Sequence, residues 1–163
     1  MPPRLAEQSV ALLKEHGYTL STAESCTGGL IAAALTEVPG ASRVFRYGWV
    51  TYCNEAKMQE LGVPAELIAQ HTVVSEPVVL AMATAARRKA TADFALAVSG
   101  NAGPTAAEGE PPVGTVCLAL AGPSGGQAIT LFRPTLSRHD FRQMVVREAL
   151  QLLLSTLHNT QEM

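Results

Sequence analysis

The chain has 163 residues, with 12 Lys and Arg side chains against 14 Asp and Glu, which gives a formal net charge of −2. Domains that bind nucleic acid or an anionic membrane surface usually have a basic excess, so this balance argues against both partners. With 47% hydrophobic and 16% charged residues, the chain lies far from disordered compositions. A chain of this length buries about 70% of its unfolded surface, enough for one core.

Cysteine and histidine usage argues against a disulfide framework and a metal site. Cys26, Cys53 and Cys117 are odd in number and form no CxxC pair, and the four histidines form no HxxxH or HxH pair. The simplest expectation is a cytoplasmic protein without a bound metal. No apolar run reaches the ~20 residues of a membrane span, and no signal peptide is visible at the start.

In chain order, helical spacing of apolar residues predicts an amphipathic helix over residues 3–16, ended by Gly17. Residues 18–23 are rich in β-branched and apolar types, which predicts a strand. A polar, glycine-containing junction over 24–29 leads into a predicted helix over 30–38.

Alternation over residues 44–52 predicts a second strand. Helices are predicted over 54–61, with Asn54 as N-cap, over 64–71, and over 75–90, where Ser75 and Pro77 begin the helix.

The last part of the chain predicts a strand over 93–99, an irregular loop over 100–112, a hairpin with strands 113–121 and 127–132, and a helix over 137–157. About five strands interleaved with helices, without a repeat or a long linker, predict one domain over residues 1–163. The expected fold is α/β, a three-layer α/β/α sandwich with a mixed sheet.

Three polar segments follow predicted strands, where ligands bind in open α/β sheets. In the first, Gly28 and Gly29 in a first helical turn would cost about 1 kcal/mol each relative to Ala, which close approach of a ligand would justify. The alternative is that Ser25 or Thr27 is an N-cap and the glycines permit tight packing. Cys26 is a competing nucleophile or a small buried residue.

The second segment contains Tyr52 and Lys57. A neutral lysine across from Ser25 could accept the hydroxyl proton, provided that desolvation lowers its pKa; otherwise Lys57 is a solvated surface lysine. The third segment begins at Ser99 and has neither a P-loop nor a GxGxxG pattern. Arg138 could hold a phosphate or carboxylate by two parallel hydrogen bonds, or lie on a solvated helix surface.

Five motifs in order resemble the CinA C-terminal domain family, which includes stand-alone nicotinamide mononucleotide deamidases. They are Ala23-Glu-Ser-Cys-Thr-Gly-Gly-Leu30, Tyr52-Cys-Asn-Glu-Ala-Lys57, Val74-Ser-Glu76, Ser99-Gly-Asn-Ala-Gly-Pro104 and Pro112-Val-Gly-Thr-Val116. The resemblance extends from about Leu5 to Leu157.

The resemblance implies hydrolysis of nicotinamide mononucleotide to nicotinic acid mononucleotide and ammonia, in pyridine nucleotide salvage, without metal or cofactor. It implies Ser25 as nucleophile, Lys57 as general base and Tyr52 as an assisting residue. It also implies Ser99 and Arg138 as residues of the pocket, and amides near Cys26 to Gly29 could donate to the oxyanion. The expected substrate-binding residues are therefore Cys26, Thr27, Gly28, Gly29, Ser99, Gly100, Asn101 and Arg138.

Two departures from the family pattern are Asn101, where an apolar residue is common, and Ala106-Ala107, where glycines are usual. They motivate an alternative, a nucleotide-binding or regulatory module with weakened activity. A second alternative makes Cys26 the nucleophile. The N-terminal domain of longer family members is not expected here, and a homodimer is a possible assembly.

Overall fold

The computed structural model describes residues 2–161, and their strands form one sheet between two layers of helices. The fold prediction, a mixed sheet of about five strands in three layers, is confirmed. The helices are α1 (Pro2–His16), α2 (Leu30–Thr36), α3 (Asn54–Leu61), α4 (Ala65–His71), α5 (Glu76–Ala90) and α6 (Arg138–Gln161), and a short 3-10 helix spans Ala41–Arg43. The strands are β1 (Leu20–Glu24), β2 (Phe45–Val50), β3 (Phe94–Gly100), β4 (Thr115–Gly122) and β5 (Gly125–Phe132).

The strand order is β2-β1-β3-β4-β5. β1 pairs in parallel with both β2 and β3, while β4 is antiparallel to β3 and β5 is antiparallel to β4. The carboxyl ends of β1, β2 and β3 therefore lie at the same edge of the sheet, where open α/β folds bind their ligands.

The two faces of the sheet differ in side-chain size. Leu96 and Leu118 belong to a core cluster with α1, α2 and α6, whereas Ala95 and Ala119 belong to a cluster with α5 and the end of α3. Successive strand residues point to opposite faces, so the alanine face lets α5 lie close to the sheet. Within residues 2–161 no helix is both long and apolar enough to cross a bilayer.

Two predictions about how helices begin are wrong. Asn54 is the first residue of α3 and Cys53 holds the cap position without a side-chain hydrogen bond. Gly29 holds the cap position of α2, so neither Ser25 nor Thr27 is its N-cap. Ser75 does cap α5 as predicted, since its side chain accepts a hydrogen bond from the Val78 amide.

Candidate active site

Ser25 lies on a turn that follows β1 at the carboxyl edge of the sheet, and it is 8% exposed. Gly28 and Gly29 have φ values of +60° and +106°, in the left-handed region that favours glycine. They precede α2 and do not lie in its first turn, which corrects the sequence expectation. The Gly28 amide donates to the Ser25 carbonyl at 2.9 Å and closes the turn.

Glu24 supports this turn from inside the protein. Its carboxylate is buried and accepts hydrogen bonds from the Thr27 hydroxyl at 2.5 Å, the Ile31 amide at 2.8 Å and the Ala32 amide at 3.0 Å. The first amides of a helix have no partner within the helix, and a carboxylate there is favourable. Glu24 therefore takes the capping role that one alternative of the sequence analysis gave to Ser25 or Thr27.

Lys57, on α3, lies beside the Ser25 side chain. Only 1% of Lys57 is exposed. Its Nζ lies 3.2 Å from Ser25 Oγ and donates to the Thr51 carbonyl at 2.7 Å. Burial lowers the pKa of Lys57, with a smaller opposing influence from Cys53, Cys26 and Glu110. The alternative of a solvated surface lysine is wrong, and the lowered pKa favours the neutral amine that a base requires.

A cavity of about 220 Å³ opens at this point. It brings together most of the residues that the sequence analysis selected, but Thr27, Gly28 and Gly29 do not line it. The lining residues are Ser25, Cys26, Tyr52, Asn54, Lys57, Val73, Val74, Ser99, Gly100, Asn101, Ala102, Gly103, Thr105 and Arg138.

Arg138 and Tyr52 lie together at the mouth of the cavity. The Arg138 guanidinium donates to the Gly103 carbonyl at 2.6 Å and to the Tyr52 hydroxyl at 3.1 Å. Tyr52 is 58% exposed. This arrangement places a cation at the mouth and the Ser25 and Lys57 pair inside.

Ser99 and Asn101 each donate a side-chain hydrogen bond to a backbone carbonyl of the protein. Ser99 Oγ donates to the Val73 carbonyl at 3.0 Å, and Asn101 Nδ2 donates to the Pro111 carbonyl at 2.7 Å. Ala106 and Ala107 are exposed and lie outside the left-handed region. The loop conformation therefore makes no demand for glycine at those two positions.

Arg142 is a site residue that the sequence analysis missed. Its Nε donates to the Cys26 carbonyl at 2.9 Å and its Nη2 donates to the Thr27 carbonyl at 3.1 Å. Arg142 follows Arg138 by four residues on α6, and residues at that spacing share a helix face. That spacing is the sequence signal that could have identified it.

Cys26 lines the cavity but is a poor nucleophile. Burial, with a smaller contribution from the Glu24 carboxylate, raises the pKa of Cys26 to about 12. The thiolate is the reactive form of cysteine, and at neutral pH this thiol stays protonated. In the described residues, no three His, Cys, Asp or Glu side chains are grouped closely enough to hold a metal ion.

Comparison with known proteins places the chain among CinA proteins. The family model of the CinA C-terminal domain matches residues 3–157. The nicotinamide-nucleotide amidohydrolase PncC of Escherichia coli strain K12 is 47% identical over 154 residues, covering 94% of this chain and 91% of that protein. A crystal structure of a CinA superfamily protein from Klebsiella pneumoniae has a TM-score of 0.94 at 35% identity, covering 98% and 99% of the two chains.

Other relatives are longer. A putative competence-damage inducible protein of Symbiobacterium thermophilum is 62% identical over 111 residues, which cover 68% of this chain and 26% of that protein. The chain spans 36% of the length of a CinA-like protein of Parasynechococcus marenigrum, at 49% identity. From the family model, the identity to PncC and the shared fold, the chain belongs to the CinA C-terminal domain family.

Proposed function

We propose that this protein hydrolyses the carboxamide of nicotinamide mononucleotide, releasing ammonia and nicotinic acid mononucleotide by a Ser-Lys mechanism. The observation that carries the proposal is the 3.2 Å contact between the buried Lys57 amine and Ser25 Oγ inside a cavity. The name of the E. coli relative supports the substrate.

In the first step, Ser25 Oγ attacks the carboxamide carbon and Lys57 Nζ accepts the hydroxyl proton. A neutral lysine has two N–H groups and one lone pair. One N–H donates to the Thr51 carbonyl at 2.7 Å, which orients the amine so that its lone pair can face Ser25. The attack gives a tetrahedral intermediate with a negatively charged oxygen.

Backbone amides of the Ser25 turn are the proposed donors to that oxygen. The Gly28 amide is already used by the Ser25 carbonyl. The amides of Cys26 and Thr27 donate to no backbone carbonyl among the contacts of residues 2–161. The Cys26 carbonyl and the Thr27 amide share one peptide plane, so Arg142 fixes the direction of the Thr27 amide by holding that carbonyl. The Cys26 amide shares its plane with the Ser25 carbonyl, which the Gly28 amide holds.

In the second step, the Lys57 ammonium gives its proton to the leaving nitrogen. Ammonia departs from the tetrahedral intermediate, and the acyl group remains on Ser25 as an ester. Water then attacks the ester while Lys57 accepts a proton from it. Breaking the ester bond returns the proton to Ser25 Oγ and releases the carboxylic acid. The acid then gives the second proton of the water to ammonia or to solvent and becomes the carboxylate product. One amine thus serves as base and acid in both half-reactions.

The cavity is smaller than a pocket for the whole nucleotide. Its volume of about 220 Å³ is below the ~300–1,000 Å³ typical of small-molecule sites. The pyridine carboxamide is therefore proposed to enter the cavity, with the ribose phosphate extending to the mouth. Arg138, which shares the mouth with Tyr52, is the proposed partner of the phosphate.

The test is ammonia release from nicotinamide mononucleotide by wild type, Ser25→Ala and Cys26→Ala. We expect turnover by wild type and Cys26→Ala, and none by Ser25→Ala. Wild-type turnover that survives in Ser25→Ala would refute the mechanism. Loss of activity in Cys26→Ala alone would make Cys26 the nucleophile.

Binding without turnover is the outcome that would favour the alternative of a regulatory module. It is measured as a shift in thermal unfolding when the substrate or its product nucleotide is added to wild type. Wild type that binds either nucleotide but releases no ammonia refutes the proposed activity.

A further inference from the structure

Residues 72–75 connect α4 to α5, and we call this segment the strap. Its Val73 and Val74 line the cavity, and Val74 is 3% exposed. Most other lining residues are polar or glycine, and Ala102 is the one further lining residue with a purely hydrocarbon side chain. The strap therefore supplies two of the three lining residues with purely hydrocarbon side chains.

The strap begins with an unfavourable backbone conformation. Thr72 has a φ of +68°, which is rare for a β-branched residue. Such conformations persist only where the surrounding structure holds them in place. Local hydrogen bonds hold Thr72 in part, since the Ser75 hydroxyl donates to its carbonyl at 2.8 Å and its own hydroxyl donates to the Val74 carbonyl at 3.3 Å.

Two segments distant in sequence also contact the strap. The Ser99 hydroxyl, at the end of β3, donates to the Val73 carbonyl at 3.0 Å. The Glu110 carboxylate, in the loop between β3 and β4, accepts from the Val73 amide at 3.1 and 3.2 Å and from the Val74 amide at 3.3 Å. Hydrogen bonds to an ionised carboxylate are stronger than neutral ones, so Glu110 makes the larger contribution.

We propose that Glu110 is a positioning residue: it holds the strap so that Val73 and Val74 form the apolar wall against which the ring of an aromatic amide substrate packs. The inference rests on the proposed function and adds to it a reason why the cavity would prefer amides that carry an aromatic ring. Glu110 has no hydrogen bond to Ser25 or Lys57 among the described contacts, and its charge is the smallest of the influences on the pKa of Lys57. Its loss is therefore expected to weaken substrate binding more than it slows the chemical step.

The positioning role is tested first by hydrogen exchange of the strap amides in wild type, Glu110→Gln and Glu108→Gln. Glutamine keeps the shape of glutamate but replaces one acceptor oxygen by an amide donor. Glu108 lies in the same loop, is exposed, and has no side-chain hydrogen bond in the described residues, so it is the matched control. We expect faster exchange at Val73 and Val74 in Glu110→Gln only. Unchanged protection there would overturn the proposal.

The role in ring binding is tested by kinetics with nicotinamide mononucleotide. Loss of a hydrogen bond to a charged group corresponds to about tenfold. We expect KM to rise about that much in Glu110→Gln while kcat stays within about twofold. Val73→Thr, which replaces a methyl group by a hydroxyl, is expected to raise KM as well. The KM of the double variant should be no higher than the higher of the two single-variant values, because both changes act on one wall.

Three results would overturn the inference: wild-type KM in Glu110→Gln, a fall in kcat without a change in KM, or fully additive effects in the double variant. If wild type itself releases no ammonia from this substrate, the proposed function fails and the ring-binding role fails with it. The exchange experiment still decides in that case whether Glu110 holds the strap.

Discussion

Replacing Lys57 by Met separates the cost of burying this amine from its use in the reaction. Methionine has a similar length and no charge, so it can occupy the same buried path beside Ser25. General-base catalysis contributes about 10²–10⁴-fold to rate. We expect Lys57→Met to lose that factor in kcat while the protein remains folded.

The effect on stability has two opposing parts. Burial lowers the pKa of Lys57 below its ordinary value of 10.5, and each unit of lowering destabilises the fold by about 1.4 kcal/mol at a pH below both values. Methionine removes this cost. However, the Thr51 carbonyl loses its donor, which costs about 1–3 kcal/mol when the oxygen stays buried. The two parts oppose each other, so at neutral pH we expect a net change smaller than the larger of the two.

The sign of the pH dependence follows from proton binding. Between the lowered pKa and 10.5, the unfolded chain binds more protons at Lys57 than the folded chain does. Wild-type stability therefore gains from rising pH in this window, and the cost of burial disappears above 10.5. Lys57→Met lacks this term, so the difference between the two proteins should shift in favour of wild type as the pH rises.

The assays are ammonia release and urea unfolding near pH 7 and near pH 10. Lys89→Met is the matched control, because Lys89 lies on the exposed side of α5 and its loss should leave kcat unchanged. Two results would refute the reasoning. One is Lys57→Met with more than a tenth of wild-type kcat. The other is a stability difference from wild type that is the same at both pH values.

Two further substitutions test the surroundings of the nucleophile. Cys26→Ala should keep kcat within about tenfold, because burial raises the pKa of this thiol to about 12; steady-state ammonia release measures it, and an inactive variant with a native unfolding curve would contradict it. Arg142→Lys should lower kcat by about tenfold or more with little change in KM, because one ammonium cannot reproduce the paired contacts to the Cys26 and Thr27 carbonyls. A wild-type kcat in Arg142→Lys would exclude a role for these contacts.

The order of elements was predictable because apolar spacing and glycine positions mark strands and helices locally. The burial of Lys57 was not, since the segment Asn54–Leu61 reads as an exposed, polar helix and its neighbours come from distant parts of the chain. The contacts of Ser99 and Glu110 with the strap were also not predictable from the sequence. In both contacts the partner is a backbone atom of Val73. Every residue has these backbone atoms, so the residue type at the partner position does not indicate the contact.

The place where the cavity opens follows from which face of the sheet each helix covers. α2 connects β1 to β2 on one face, whereas α3, α4 and α5 connect β2 to β3, with α3 and α5 on the other. Crossovers between parallel strands are almost always right-handed, so opposite faces require β2 and β3 to lie on opposite sides of β1. A crevice then opens beyond the carboxyl end of β1, where Ser25 meets residues that follow β2 and β3.

The information missing from the sequence analysis was therefore the assignment of faces, and the strands contain it. Ala95, Ala97 and Ala119 alternate with the larger Leu96 and Leu118. Small side chains on this face of the sheet leave room only for a helix that lies close to it. α5 can lie close, because four of its seven buried residues are alanines. With α5 placed on that face and α2 on the other, right-handed connections put β2 and β3 on opposite sides of β1, independently of any family resemblance.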